Sequence, residues 1–79
     1  MEEVAEWDGW GSDDQGHHVH VHAAGTRQEI ASQVVARVLA KYGARTDTRA
    51  WRFWLQSDQN GRREVVPFRP DENGSPIFL

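Results

Sequence analysis

The sequence predicts an α+β domain: a single helix packed on one face of a three- or four-stranded mixed sheet, in β-α-β-β order with a C-terminal hairpin. Three stretches carry this prediction: an alternating segment at 17–24, an amphipathic segment at 25–43, and a segment at 51–69 that contains Asn60-Gly61. Alternation with period two indicates a half-buried strand, and apolar spacing of three to four indicates a helix. The chain has 79 residues, which is the length of one domain whose hydrophobic core is only just large enough to stabilise the fold. It has no cysteine, so no disulfide can add stability.

The helix is the most strongly marked element. Thr26 followed by Glu29 forms a capping box, in which each side chain satisfies a backbone N–H of the first turn. Gly43 suits the left-handed conformation that commonly ends a helix. The apolar residues between these signals fall on one stripe, which consists of Ile30, Val34, Val35, Val38, Leu39 and Tyr42. This stripe requires a sheet on which to pack.

The segment at 17–24 is predicted to be the first strand of that sheet. One face carries His18, His20 and His22, and the other carries Val19, Val21 and Ala23. The valines are expected to face the helix. A right-handed crossover through the helix then places this strand beside the strand at 51–58 and parallel to it.

The strand at 51–58 is predicted to continue into a hairpin through a type I′ turn at Asn60-Gly61. Phe53 then lies opposite Phe68 on the inner face, and Trp54 lies opposite Pro67 on the outer face. Pro67 falls at a non-hydrogen-bonded position, so the third strand is at least locally an edge. The same register sets Arg52 opposite Arg69, and these side chains repel each other unless an anion or carboxylate intervenes. Residues 77–79 are apolar and are expected to pack on the body.

The charge distribution divides the chain into two parts. Residues 1–16 hold six acidic side chains and no lysine or arginine, although the net charge of the whole chain is only −3. We interpret residues 1–16 as an acidic, Trp-containing arm or edge strand, and residues 17–79 as a single helix-on-sheet domain. The tryptophans of the arm either fold back on the body or contact a partner.

The three histidines at 18, 20 and 22 allow a metal-binding module as an alternative. Two histidines that are two residues apart on a strand share a face and can chelate zinc. The sequence shows no cysteine and no carboxylate at a matching position. The main prediction therefore includes no metal and no cofactor.

The stretch His18-Val19-His20-Val21-His22-Ala23-Ala24 resembles the histidine-triad motif of nucleotide hydrolases and transferases. In that family the middle histidine attacks a phosphate, which implies His20 as nucleophile with His18 and His22 in support. Those enzymes carry the motif near the end of a longer chain, whereas here a regular helix follows it. A partial resemblance to the paired-histidine nucleases implies Tyr42 as nucleophile, but Tyr42 lies on the apolar stripe. The main prediction is therefore that the chain is not an enzyme.

With one helix, the sheet keeps an outer face for a partner, and exposed aromatic and arginine side chains are typical of binding hot spots. The predicted partner-binding residues are Glu2, Glu3, Glu6, Trp7, Asp8, Trp10, Asp13, Asp14, Arg52 and Trp54. A nucleic-acid-binding sheet that uses Arg52, Trp54 and Arg69 is a further alternative. The acidic arm and the negative net charge oppose it, because phosphate contacts depend on a cationic surface.

In format the chain is similar to small phage-encoded inhibitors, the anti-CRISPR proteins especially. The resemblance rests on size, charge distribution and the lack of a catalytic motif over the whole chain. It implies a non-enzymatic, stoichiometric binding protein that occupies a basic nucleic-acid-binding surface of a CRISPR-Cas complex, with a Cas subunit as the expected partner. We expect a monomer or weak dimer without direct nucleic-acid or membrane contact, in the cytoplasm of the host cell if the protein is phage-encoded.

Overall fold

The computed structural model describes residues 4–59 and 61–79. In chain order the elements are β1 (Ala5–Ser12), β2 (His18–Gly25), α1 (Arg27–Tyr42), a 3₁₀ turn (Thr48–Ala50), β3 (Arg52–Gln59), β4 (Arg62–Pro70) and β5 (Pro76–Phe78). The strands form one sheet of order β2-β1-β3-β4-β5, in which all neighbours are antiparallel. The predicted α+β class is confirmed, whereas the predicted mixed sheet of three or four strands is wrong.

β1 lies between the two strands that the helix connects. Gly9 pairs with Val21 of β2 on one side and with Leu55 of β3 on the other. β2 and β3 therefore run parallel, as the crossover through α1 requires, but they are not neighbours. Residues 5–12 are an interior strand, so the interpretation of residues 1–16 as an arm or edge strand is wrong for that part. Residues 1–3 lie outside the described residues.

Gly9 lets the helix pack directly over the backbone of β1, and Gly11 makes room for side chains of the neighbouring strands. A Cβ at Gly9 would lie 2.4 Å from Cγ2 of Val34 and 3.3 Å from the nearest side-chain atom of Leu55. At Gly11 it would lie 3.0 Å from the Phe53 ring. Glycine weakens strand propensity and often marks a close backbone approach, which explains why local patterning did not reveal this strand.

α1 begins after the predicted N-cap and ends at the predicted glycine, but only half of the capping box is confirmed, because Glu29 Oε1 accepts the Thr26 hydroxyl at 3.2 Å instead of a backbone N–H. The Thr26 hydroxyl oxygen accepts the backbone N–H of Glu29 at 3.2 Å, and the N–H of Gly43 donates to the Leu39 carbonyl at 3.0 Å. Gly43 has a φ of 110°, which favours glycine. The buried helix residues are Ile30, Ala31, Val34, Val35 and Val38, with Leu39 and Tyr42 packed partly buried against the same core.

The C-terminal hairpin has the predicted register. Phe53 pairs with Phe68, and Trp54 pairs with Pro67. The Asn60-Gly61 turn includes Asn60, which lies outside the described residues. The ladder between β3 and β4 stops at Phe53 and Phe68, so Arg52 and Arg69 are not a ladder pair, although they lie one step further along the same register. On their other sides Arg52 pairs with Ser12 of β1 and Arg69 with Ile77 of β5.

The last residues add a short fifth strand. β5 pairs with β4 from Phe68 to Pro70, and the N–H of Leu79 donates to the carbonyl of Pro67 at 3.2 Å. Phe78 packs partly buried against the core, whereas Ile77 and Leu79 are exposed. β4 is therefore an edge strand only over its first half.

The close approach of helix and strand generates a first prediction. Gly9→Ala should lower the free energy of unfolding by about 1 to 3 kcal/mol, because the added methyl overlaps Val34. Val34→Ala alone should cost about 2 kcal/mol. The double variant should cost about 1 kcal/mol less than the sum, since the shortened side chain admits the methyl group. Urea unfolding of the four proteins measures this coupling.

The matched control pairs Gly9→Ala with Val38→Ala. Val38 is equally buried in the same helix but is not among the nearest neighbours of a Cβ at position 9. Those two changes should be additive within the error of the measurement. Additivity in the Val34 pair would instead show that the helix does not rest on Gly9.

Candidate binding face

The sheet face opposite α1, here called the outer face, is not covered by any element of residues 4–59 and 61–79. Its side chains follow the register in rows across the strands. The arginine row consists of His18, Ser12, Arg52 and Arg69; the aromatic row consists of His20, Trp10, Trp54 and Pro67; the carboxylate row consists of His22, Asp8, Gln56 and Val65. Glu6 and the Asp58–Arg63 ion pair lie beyond the carboxylate row.

The aromatic row is a continuous stack. Trp10 stacks on His20 with ring centroids 4.0 Å apart and on Trp54 with centroids 6.3 Å apart; the interplanar angles are 17° and 15°. Pro67 extends the row beyond Trp54 as its cross-strand partner. Each ring is restrained by its neighbours, so little side-chain entropy remains to be lost when a ligand packs on the row.

Asp8 joins the two histidines on the neighbouring strand. Its Oδ1 lies 2.8 Å from Nε2 of His20 and 2.9 Å from Nδ1 of His22. The hydrogen bond from His20, followed by that from His22, holds the pKa of Asp8 below its ordinary value of 3.8. The expectation that no carboxylate matches the histidines is therefore wrong. Asp8 reaches them because β1 is the neighbour of β2.

Asp13 organises the connection between β1 and β2. Its Oδ1 accepts the backbone N–H groups of Gln15 at 3.0 Å and His17 at 2.8 Å, and its Oδ2 lies 2.8 Å from Nδ1 of His17. Burial by itself raises the pKa of Asp13, but the hydrogen bonds from His17 and Gln15 outweigh it, and the pKa lies below 3.8. This carboxylate is engaged within its own loop.

The predicted partner-binding residues fall into separate groups. Asp8, Trp10, Arg52 and Trp54 lie together on the outer face, with Glu6 at its far end. Asp13 and Asp14 lie in the turn after β1, and Glu2 and Glu3 lie outside the described residues.

Trp7 is the exception among the predicted contacts. It is only 4% exposed and belongs to the core beneath the helix. The guanidinium of Arg27 lies 5.7 Å from the centre of its ring. Trp7 cannot contact a partner in this fold, so that prediction is wrong. Along a strand, residues 7 and 10 point to opposite faces of the sheet. This alternation is the signal that assigns Trp7 to the core and Trp10 to the outer face once β1 is known to be a strand.

A groove of about 960 Å³ lies at the arginine end of the outer face. Strands β3, β4 and β5 and the segment before β3 line it. Its wall residues include Arg52, Trp54, Pro67, Arg69, Ile77 and Leu79. Asp47 and Arg49 also line it and bind each other, with Arg49 Nε 3.0 Å from Asp47 Oδ1. Sequence reasoning missed this groove, because it depends on β5.

The residues singled out for catalysis have structural contacts. His20 stacks on Trp10 and binds Asp8. The Tyr42 hydroxyl donates to the carbonyl of His18 at 3.2 Å and accepts its N–H at 3.3 Å, which satisfies part of the open edge of β2. Within residues 4–59 and 61–79, no group of three or more His, Cys, Asp and Glu side chains is arranged to hold a metal ion.

Comparison with protein-family models, curated proteins and solved structures returned no match. In the part of the chain that the structure describes, no helix has both the length and the apolar character needed to cross a membrane.

The carboxylate of Asp8 generates a second prediction. Its pKa is lowered in the folded chain, so its ionised form adds stability that is present above about pH 4 and is lost as the pH falls through the folded pKa. Asp8→Asn should remove this part of the acid-induced loss of stability. Urea unfolding at stepped pH measures the effect.

Asp14→Asn is the matched control, since the Asp14 side chain is exposed and makes no hydrogen bond within the described residues. It should retain the acid dependence of the wild type. Superimposable pH profiles for Asp8→Asn and the wild type would contradict the role assigned to the Asp8 hydrogen bonds.

The histidines generate a third prediction. His20 and His22 share one carboxylate oxygen through hydrogen bonds. We therefore expect zinc to bind no tighter than weakly in the micromolar range by titration calorimetry, and a chelator to leave the melting temperature unchanged. A melting temperature that falls on chelation and recovers with zinc would establish a structural metal site instead.

Proposed function

We propose that this chain is a non-enzymatic, stoichiometric binding protein whose outer face contacts another protein. The observation that carries the proposal is the stack of Trp10 and Trp54 in the middle of this face. Tryptophan is among the residues most enriched at binding hot spots, because it buries a large area and loses few rotamers.

Apolar residues widen the surface around the stack. Val65 is 53% exposed and Ile77 is 41% exposed, and both lie on the outer face beside the exposed Pro67. A contiguous apolar patch on an uncovered sheet favours an interface with another macromolecule. The exposed charges that border it are suited to the rim of such an interface.

Charged side chains lie at both ends of the outer face. Arg52 and Arg69 lie at one end together with Asp47, Asp71 and Glu72, and Glu6 lies at the other end beside the Asp58–Arg63 ion pair. A partner with a complementary arrangement of charges would be oriented by these side chains as it approaches, and a partner with a mismatched arrangement would be repelled. The aromatic row would then supply most of the binding energy.

The more specific proposal is a phage-type inhibitor whose partner is the basic nucleic-acid-binding surface of a CRISPR-Cas complex. Its support is the net charge of −3 and the acidic side chains at positions 6 and 14, which are exposed. Asp8 and Asp13 contribute less to such a contact, because histidines already bind their carboxylates.

A second candidate function is single-stranded nucleic-acid binding. Trp54 offers an aromatic ring for a base at the surface, with Arg52 on the same face, whereas both ring faces of Trp10 are covered by His20 and Trp54. Base stacking on an aromatic side chain contributes about 1 to 3 kcal/mol per base. The net negative charge of the chain opposes this candidate, because phosphate contacts provide most nonspecific affinity.

A fourth prediction tests the proposed function by association kinetics with a partner captured on a surface. Trp54→Ala should mainly raise the dissociation rate, because a buried aromatic side chain holds a formed interface. Glu6→Gln should mainly lower the association rate with a basic partner and reduce its dependence on salt. Both variants should retain the melting behaviour of a folded chain.

Gln33→Lys is the matched control for Glu6→Gln. It changes the net charge by the same amount, but Gln33 is exposed on the solvent side of α1. It should leave both rates nearly unchanged. Tight, salt-dependent binding of the wild type to an oligonucleotide, lost in Arg52→Ala, would decide for the nucleic-acid candidate.

A further inference from the structure

We infer that the groove at the arginine end of the outer face binds an extended peptide segment of the partner, with a carboxylate between Arg52 and Arg69. Apolar residues on either side of that carboxylate pack against Trp54 and Pro67. This inference rests on the proposed function. It adds the chemistry of the partner segment that binds at the arginine end of the outer face.

The two arginines are placed to share one anion. They occupy the ends of neighbouring strands on the same face, immediately beyond the last β3–β4 pair of Phe53 and Phe68. Neither guanidinium forms an ion pair with a carboxylate of the described residues, although Arg27, Arg49 and Arg63 do. Two adjacent positive charges repel each other, and a carboxylate between them removes that repulsion and accepts charge-assisted hydrogen bonds.

The rest of the groove favours apolar contacts. Trp54, Pro67, Ile77 and Leu79 line it. Its volume of about 960 Å³ can accept several side chains at once. Trp54 is held by its stack with Trp10, which prepares its exposed surface for contact. A segment with a carboxylate flanked by apolar residues complements both the arginines and these walls.

The charge balance of the groove separates a peptide from a nucleic acid. The lining contains Arg49, Arg52 and Arg69 together with Asp47, Asp71 and Glu72, so it has no net positive charge. Asp47 is bound to Arg49, and Asp71 Oδ1 accepts the N–H groups of Asn73 at 2.8 Å and Ser75 at 2.9 Å. A chain of phosphates would meet these carboxylates, whereas a single carboxylate meets only the arginine pair.

The probe for this site is a fluorescein-labelled peptide in which one central glutamate is flanked by leucines and the other residues are uncharged. Its binding to the full chain is followed by fluorescence polarisation. Replacing that glutamate by glutamine should weaken binding about tenfold or more. Arg52→Gln and Arg69→Gln should each weaken binding of the glutamate peptide by a similar factor. Both side chains are exposed, and the melting temperature verifies that the variants fold.

Arg37→Gln is the matched control, since Arg37 is exposed on the helix and the change in net charge is identical. It should bind the glutamate peptide as the wild type does. Equal binding of the two peptides, or equal losses in all three variants, would overturn the inference. Binding of oligothymidylate that depends on Arg52 and Arg69 would also overturn it, as would self-association that Arg52→Gln abolishes.

The two proposals can fail separately. Suppose that a partner association depends on Trp54 but is unchanged by Arg52→Gln, and that the glutamate peptide does not bind. The inference about the groove is then contradicted, whereas the proposed function is supported. If the glutamate peptide binds but no protein association depends on Trp54, the proposed function is contradicted. The inference that the groove binds a carboxylate-bearing peptide is then still supported.

Discussion

The contact between α1 and the backbone of β1 determines the rest of the architecture. Val34 occupies the space that a side chain at Gly9 would need, and Gly11 gives the Phe53 ring a similar approach. A larger residue at position 9 would hold the helix further away, and one at position 11 would displace the Phe53 ring. The buried aliphatic residues of α1 would then lose contact with Leu55 and Val21, which are parts of the same core. The lack of side chains at Gly9 and Gly11 is therefore what allows the helix and Phe53 to pack this closely on β1.

The same strand builds the binding face, because successive side chains of a strand point to opposite faces of the sheet. With Trp7, Gly9 and Gly11 directed towards the helix, Asp8, Trp10 and Ser12 are directed outwards. The central position of β1 sets Trp10 between His20 and Trp54 and brings Asp8 to the histidines. Core packing and the outer face consequently depend on one register. A slip of one residue would remove both.

The sequence predicted the elements whose signals are local. The cap at Thr26, the apolar stripe of α1 and the pairing of Phe53 with Phe68 follow from spacing and turn chemistry, and the structure has all three. The position of β1 could not be read in this way, because its inner face is glycine-rich and its partners are distant in sequence. The shared oxygen of Asp8 and the groove near Arg52 depend on strand order. They could be found only once that order was known.

The outer face combines side chains that would each be weak evidence alone. Surface ion pairs such as Asp58–Arg63 contribute little stability, and isolated exposed apolar residues are common in soluble proteins. What distinguishes this face is that its central aromatic side chains are ordered by mutual stacking, with charged side chains at both ends. The histidines bind Asp8 close to the stack, so at that end Glu6 is the exposed carboxylate beside the Asp58–Arg63 ion pair. Arg52 and Arg69 lie at the other end, so the two ends of the aromatic centre differ and give a partner one preferred orientation, which is the property that a specific binding surface requires.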